Sequence, residues 1–267
     1  VTKKVVKKLS TTNILTYWYI HEYLDDFTIN IFNQYISDVN IFNSKINLIF
    51  ICKASINNYK KYILKIKNYQ IIYNSLDSEL LKKNVLGPFK ITKTADFIYI
   101  SIIGNIEKRK NQQSFIDNVF YKLKDKYKKI KLLLVGNIWL KPKIHTNYKN
   151  DIILTGIVDN ALPYINLSDI VVSYSINEVF PLNILESFFC GKPVVSSAVG
   201  GVNEIIENNN GYLFEVNNHK KCFSILSQLI ENESLRKAVG EKGKKTFFSK
   251  FDNTIVTDKL LSLLHKE

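Results

Sequence analysis

The sequence predicts an α/β protein built on parallel sheets, and three observations carry that prediction. Apolar runs of strand length recur along the chain, stretches with helical spacing separate them, and the runs stop at Gly, Asn or Ser. Runs that are apolar throughout, without polar alternation, belong to strands buried on both faces, and ligands sit beyond the carboxyl ends of such strands.

In chain order, Asn13 to Ile20 is β-rich and aromatic, Asn47 to Cys52 is a short apolar run, and Tyr69 to Tyr73 is another that stops at Asn74-Ser75. Polar stretches bearing Lys and Tyr lie between them. A turn at Leu86-Gly87-Pro88-Phe89 then separates two β/α blocks and places a domain boundary near residue 90. In the second block, Asp96 to Ile103 reads as a strand ending at Gly104. Asn111 to Lys126 carries a helical stripe of Phe115, Val119, Phe120 and Leu123. Strands follow at Ile130 to Val135, Asp151 to Leu154, Ile170 to Ser173 and Pro193 to Ser196. Residues just after these strands are expected to line a site: Gly104-Asn105, Gly136-Asn137, Gly156-Ile157-Val158, Tyr174-Ser175 and Val199-Gly200-Gly201.

The chain of 267 residues is long enough for one large domain or two smaller ones. Its 46% hydrophobic and 12% aromatic content excludes a disordered tail, a collagen-like fibre and a disulfide-stapled miniprotein. Cys52, Cys190 and Cys222 have no metal-like spacing and apolar neighbours, so they read as buried thiols of a reducing compartment. No stretch approaches the ~20 apolar residues of a membrane span. There is no Met, even at position 1, which reads as a processed or partial polypeptide. A net charge of +13 draws polyanions, but the excess of Lys in an Ile- and Asn-rich chain reads first as a solvated surface.

The densest signal runs from Asn177 through Glu178, Phe180, Pro181, Leu182, Glu186 and Cys190 to Pro193. Pro181 suits the first position of a helix and Gly191 the residue past its end. The amides near Phe180 to Asn183 then offer an anion site. Glu178 before this helix and Glu186 in its second turn bracket the helix mouth, a placement suited to holding the hydroxyls of a nucleotide sugar rather than to paired acid and base catalysis.

Glu178 and Glu186 in an E-x7-E spacing, Cys190-Gly191-Lys192-Pro193-Val194-Val195, Gly200-Gly201-Val202-Asn203-Glu204 and Asn210-Gly211-Tyr212-Leu213-Phe214 together resemble the retaining glycosyltransferases of family 4. Gly104 through Asn111 and Thr155-Gly156 extend the likeness over roughly residues 93 to 250. The resemblance implies a GT-B fold of two Rossmann-like parallel-sheet domains. Residues 1–90 would be a partial acceptor-side domain, 91–250 the nucleotide-sugar donor domain and 251–267 a carboxyl-terminal helix that crosses back to the first domain. Tyr19-Ile20-His21-Glu22 and Ile71 through Asp77 resemble amino-terminal segments of the family. Only about twenty residues precede His21, so half of the acceptor domain is expected to be absent from this chain.

By the same resemblance, Glu178 contacts the transferred sugar, Glu186 holds the ribose and Lys110 neutralises the diphosphate. His21 is the catalytic-side histidine of the first domain, and amides at Phe180, Pro181 and Leu182 meet the donor, although Pro181 has no N–H to give. Gly104, Gly136, Gly156 and Val158 line the nucleotide. The family's usual Arg after the strand-ending glycine is Asn105 here, with Arg109 as its substitute. The implied reaction is metal-free transfer of a sugar from a nucleotide diphosphate sugar to an acceptor hydroxyl, with retained configuration and no cofactor beyond the donor. Expected partners are that donor and a glycan, lipid or protein acceptor. The expected location is cytoplasmic, with optional peripheral membrane contact.

Plainer readings stand beside these. Lys110 lies in the run Lys108-Arg109-Lys110, and His21 adjoins Trp18 and Tyr19 as a structural histidine would. Glu204 either caps its own helix or faces the cleft. His145, His219 and His265 read as surface residues without partners. A non-catalytic nucleotide-sugar-binding remnant is the alternative function. A basic nucleic-acid-binding protein is a weaker one, since no such motif accompanies the charge.

Overall fold

The computed structural model describes residues 16–23, 46–62, 66, 69–87 and 91–264. The expected boundary near residue 90, the beginning of the first strand at Asn13 and His265 fall outside them. Two parallel sheets are present. The first has the order β1-β2-β3, from β1 (Thr16–Ile20), β2 (Ile46–Phe50) and β3 (Tyr69–Ile71). Helix α1 (Lys53–Tyr62) follows β2, and α2 (Ser78–Asn84) follows β3. Asp77 starts α2 by accepting from the Glu79 and Leu80 amides at 2.9 and 3.1 Å.

The second sheet comprises β4 (Ile98–Ile103), β5 (Ile130–Val135), β6 (Ile152–Gly156), β7 (Ile170–Ser173), β8 (Val194–Ser197) and β9 (Tyr212–Phe214). All its neighbours pair in parallel, in the order β6-β5-β4-β7-β8-β9. Its helices are α3 (Gln112–Phe115), α4 (Tyr121–Lys126), α5 (Leu162–Leu167), α6 (Leu182–Phe189), α7 (Val202–Ile205), α8 (His219–Glu231) and α9 (Glu233–Thr246). The last, α10 (Asn253–Leu264), follows a π-helical turn at Phe247–Phe251. The helix expected over Asn111 to Lys126 is broken by another π-helical turn at Ile116–Phe120, which rotates its stripe without ending it.

Strand alternation divides the core between the two faces of this sheet. Ile100, Ile102, Leu132 and Leu134 pack with Phe115, Phe120 and Leu226, while Ile103, Leu133 and Val135 pack with Leu185, Phe188 and Phe251. Both faces are therefore covered, which is why these strands read as predominantly apolar runs without polar alternation. The second cluster also contains Ile51, Cys52 and Leu81 of the first lobe, so apolar packing is continuous between the lobes. Tyr73 of the first lobe stacks on Phe180 with ring centres 5.5 Å apart. The chain returns to the first lobe at its end: Leu76 pairs with Asp252, and Lys259 Nζ donates to the Ile71 carbonyl at 3.0 Å.

Three local expectations change. Pro181 is not the first helical residue; with ψ at 116° it is the extended residue before α6, which begins at Leu182. β6 runs through Gly156, so Thr155 and Gly156 belong to the strand and do not follow it. Cys190 is half-buried, whereas Cys52 and Cys222 are fully buried.

Candidate functional site

The order of the second sheet reverses between β4 and β7, because the chain builds outward from β4 through β5 and β6 and then returns to add β7 on its other side. Loops after β4 and β7 diverge at such a point and leave a crevice at the carboxyl ends of the strands. Lys110, from the loop after β4, and Glu178, from the loop after β7, meet there. Glu178 Oε1 accepts from Lys110 Nζ at 2.6 Å and from Ser175 Oγ at 2.7 Å. Its Oε2 lies 3.0 Å from Arg109, whose other nitrogen pairs with Glu107 at 2.8 Å. Glu178 is 8% exposed and the Lys110 side chain 12%, so this pair is shielded from bulk water. Shielding strengthens its electrostatics and makes an unpartnered member costly.

This arrangement alters the sequence-based picture of Glu178. Its carboxylate does not stand free to receive hydroxyls; cations and Ser175 occupy it. Ser175 carries no recognisable pattern of its own, and only its position after a strand end pointed to it.

Glu186 lies in the second turn of α6, and its carboxylate has no hydrogen-bond partner among the described residues. Desolvation pushes its pKa up to about 7 from 4.5. At the start of the same helix, the Leu182 and Asn183 amides have no acceptor among the described residues. Asn183 Nδ2 donates to the Ile103 carbonyl at 3.0 Å, which ties the helix mouth to the end of β4, and its buried Oδ1 is unpartnered.

A cleft of 910 Å³ opens between the lobes. His21, Asn74, Arg109, Glu178, Phe180, Leu182 and Gly200 are among the residues that line it. His21 is exposed, with its ring 4.5 Å from that of Tyr19, and partial desolvation of the ring by its neighbours holds its pKa below the usual histidine value. Phe180 is a core residue, 6% exposed, whereas Leu182 is 42% exposed at the cleft. Gly104 and Gly136 stand at the ends of β4 and β5 and Gly156 closes β6, all with positive φ. Asn105 fixes its loop through its carbonyl, which accepts from Gln112 Nε2 at 2.8 Å. Val158 packs its side chain against the core. Lys110, Arg109 and Glu178 are thus brought together, while Glu186, Gly136, Gly156 and Val158 do not line the same cleft.

Glu204 faces the first lobe. Its carboxylate accepts from the Lys53 and Ala54 amides, each at 2.9 Å, and from Tyr73 Oη at 3.3 Å. A side chain of the second lobe thus caps α1 of the first, satisfying two of that helix's open donors and complementing the positive end of its dipole. Cys52 Sγ, beside it, donates to the Val179 carbonyl at 3.4 Å. Glu204→Ala should lower stability by about 1–2 kcal/mol, read from urea unfolding, and Glu204→Gln should lose less because an acceptor oxygen remains.

Two histidines differ from expectation. His219 stacks on Tyr174, and its Nδ1 is hydrogen-bonded to the Tyr174 hydroxyl. His145 packs against Tyr121 at 4.8 Å. Aromatic partners distant in sequence leave no local pattern to read.

The described residues hold no cluster of His, Cys, Asp and Glu that could take a metal, and none of their helices is long and apolar enough to cross a membrane.

A parallel sheet of this order, faced by a second parallel-sheet lobe across a cleft, is the architecture of GT-B glycosyltransferases. The family of glycosyl transferases group 1 matches residues 88–246, and the chain belongs to it. The N-acetyl-alpha-D-glucosaminyl L-malate synthase of Bacillus anthracis is 28% identical over 207 residues, covering 73% of this chain and 53% of that protein. A Campylobacter jejuni enzyme, N-acetylgalactosamine-N,N'-diacetylbacillosaminyl-diphospho-undecaprenol 4-alpha-N-acetylgalactosaminyltransferase, is 28% identical over 74% of this chain and 54% of its own length. The chain therefore spans about half the length of these curated relatives. Anabaena HepE, solved in complex with UDP, superposes with a TM-score of 0.79 at 17% identity, over 100% of this chain and 77% of that one. The last likeness is one of fold.

Proposed function

We propose that the chain carries the donor site of a retaining, metal-independent glycosyltransferase of family 4, which transfers a sugar from a nucleotide diphosphate sugar to an acceptor hydroxyl. The observation that carries the proposal is the shielded Lys110–Glu178 pair at the switch point. The names of the relatives, and the UDP held by HepE, agree with it. In this reading the residues around 91–250 form the donor domain, those before it belong to an acceptor-side domain, and α10 joins the two.

The chemistry follows from charge. A diphosphate entering the crevice offers Lys110 and Arg109 a dianionic partner, and the open Leu182 and Asn183 amides add the positive end of α6. Released from Lys110, the Glu178 carboxylate accepts hydroxyls of the transferred sugar. As the sugar–phosphate bond breaks, negative charge grows on the leaving oxygen, and Lys110 with the helix mouth stabilises it without a metal. Attack from the same face, with the leaving phosphate taking the acceptor proton, retains the configuration. Ribose hydroxyls fall to Glu186, and His21 faces the sugar from the other lobe. No cofactor beyond the donor is required, and buried Cys52 and Cys222 suit a reducing cytoplasm.

Glu186 gives the test. Its pKa is raised in the folded chain, so its contribution to stability is complete below about 4.5 and is lost as pH rises through about 7. Glu186→Gln should therefore stabilise the unliganded chain at pH 8 by on the order of 2 kcal/mol, allowing for partial exposure, and should leave it unchanged near pH 4. Ribose hydroxyls donate to the ionised carboxylate, so nucleoside diphosphate affinity should rise about tenfold from pH 6 to pH 8. Calorimetric titration should find that rise in the wild type, and a weaker, flat profile in Glu186→Gln. A wild-type affinity that ignores pH, or a variant that binds equally well, refutes the ribose role.

A further inference from the structure

We propose that the loop over residues 138–143 docks this chain onto an anionic lipid bilayer, beside the donor cleft and independently of what that cleft binds. Ile138, Trp139 and Leu140 are 39%, 64% and 48% exposed. Three large apolar side chains in a row at a loop tip lose contact with water only if something beyond the described residues covers them.

The tip is held in place. Ile106 donates to the Asn137 carbonyl at 2.8 Å, and Leu140 donates to the Ile106 carbonyl at 2.9 Å. Gln113 grips Lys143 from both sides, accepting from its amide at 2.7 Å and donating to its carbonyl at 3.1 Å. The His145 amide donates to Tyr121 Oη at 2.9 Å. A backbone pinned at both ends keeps Trp139 outward at little further entropic cost on docking.

Charge selects the occupant. Behind the tip lies a pocket of 640 Å³ lined in part by Lys108, Leu140, Lys141 and Lys143. These lysines are exposed, and none forms an ion pair among the described residues. Two acidic groups also line the pocket. Glu107 is paired with Arg109, and Asp117 accepts from Gln113 Nε2 at 2.9 Å. An aromatic and aliphatic wedge beside unpaired lysines fits the boundary of a bilayer, with side chains among the acyl ends and ammonium groups among anionic headgroups. Each lysine near such a surface strengthens binding about fivefold.

The test uses the full chain with vesicles of phosphatidylcholine, with or without phosphatidylglycerol. The chain should co-sediment with the anionic vesicles only. In a Trp18→Phe background, the emission of Trp139 should shift to the blue as they bind. Lys141→Glu with Lys143→Glu should weaken binding by about 30-fold or more, and Trp139→Ser with Leu140→Ser by at least tenfold, each with an unchanged Tm and unchanged nucleotide binding. Failure to bind anionic vesicles overturns the proposal. So does equal binding by the Trp139→Ser, Leu140→Ser variant, which would mean that the diffuse charge of +13 acts alone. A blue shift produced by a DNA oligonucleotide but not by vesicles would assign the surface to nucleic acid instead.

Discussion

Glu178→Ala should destabilise the fold by about 2–4 kcal/mol, because it leaves a shielded ammonium without its carboxylate. Lys110 is 12% exposed and 2.6 Å from Glu178, so few waters can replace the lost oxygen. Arg109, at 44% exposure and still paired with Glu107, tolerates the loss. Glu178→Gln, which keeps the hydrogen-bond acceptor but not the charge, should cost about half as much. The functional consequences separate the partners. Without the Glu178 charge, Lys110 is free for phosphate, so nucleoside diphosphate affinity should hold or rise. Lys110→Met should do the reverse to binding. Urea unfolding and calorimetry on the same variants read both effects, and a Glu178→Ala chain as stable as the wild type would show that the pair does not hold the crevice together.

Gly200→Ala should be more damaging still. A Cβ at Gly200 would lie 1.8 Å from the Glu178 carbonyl oxygen and 2.4 Å from Tyr23 Oη, at a φ of +51°. The carbonyl cannot withdraw without moving the backbone that aims Glu178, so the expected cost is about 3 kcal/mol or more, or failure to accumulate as soluble protein. Gly156→Ala is the matched control. Its φ is +69°, yet nothing lies within 4 Å of the added carbon, so only conformational strain of about 1 kcal/mol is expected. A difference of at least 2 kcal/mol between the two variants in urea unfolding would separate the clash from the strain.

Much of the fold was legible because it rests on local pattern. The runs at 130–135 and 170–173 are strands with those bounds, since short, predominantly aliphatic runs bounded by turn residues are strand-length and too short for a helix. Strand order was not legible: nothing in the runs at 98–103 and 170–173 tells Ile100 to lie beside Ile170, and that pairing creates the crevice. The site divides similarly. Glu178 stood out through its E-x7-E spacing before a helix, Lys110 through the family resemblance and Gly200 through its place after a strand, but the bond from Lys110 to Glu178 joins residues 68 apart. Glu204 reaches α1 across 151 positions, and its sequence neighbourhood allowed a cap on its own helix equally well. Pro181 was misplaced by one residue because its fixed φ suits both the first helical position and the extended residue before it. The π-helical turn at 116–120 leaves the apolar stripe nearly intact and so leaves no sign in the spacing.

The central claim is that the crevice between β4 and β7 binds a nucleoside diphosphate through Lys110 without a metal. Thermal unfolding of the chain with UDP, GDP, ADP and dTDP, each with and without its sugar and all with EDTA present, tests it most directly, since a ligand of the folded state raises Tm. The account predicts a rise for one nucleotide, unchanged by EDTA and abolished by Lys110→Met. No rise with any of the four, or a rise that EDTA removes or that Lys110→Met leaves intact, would contradict it.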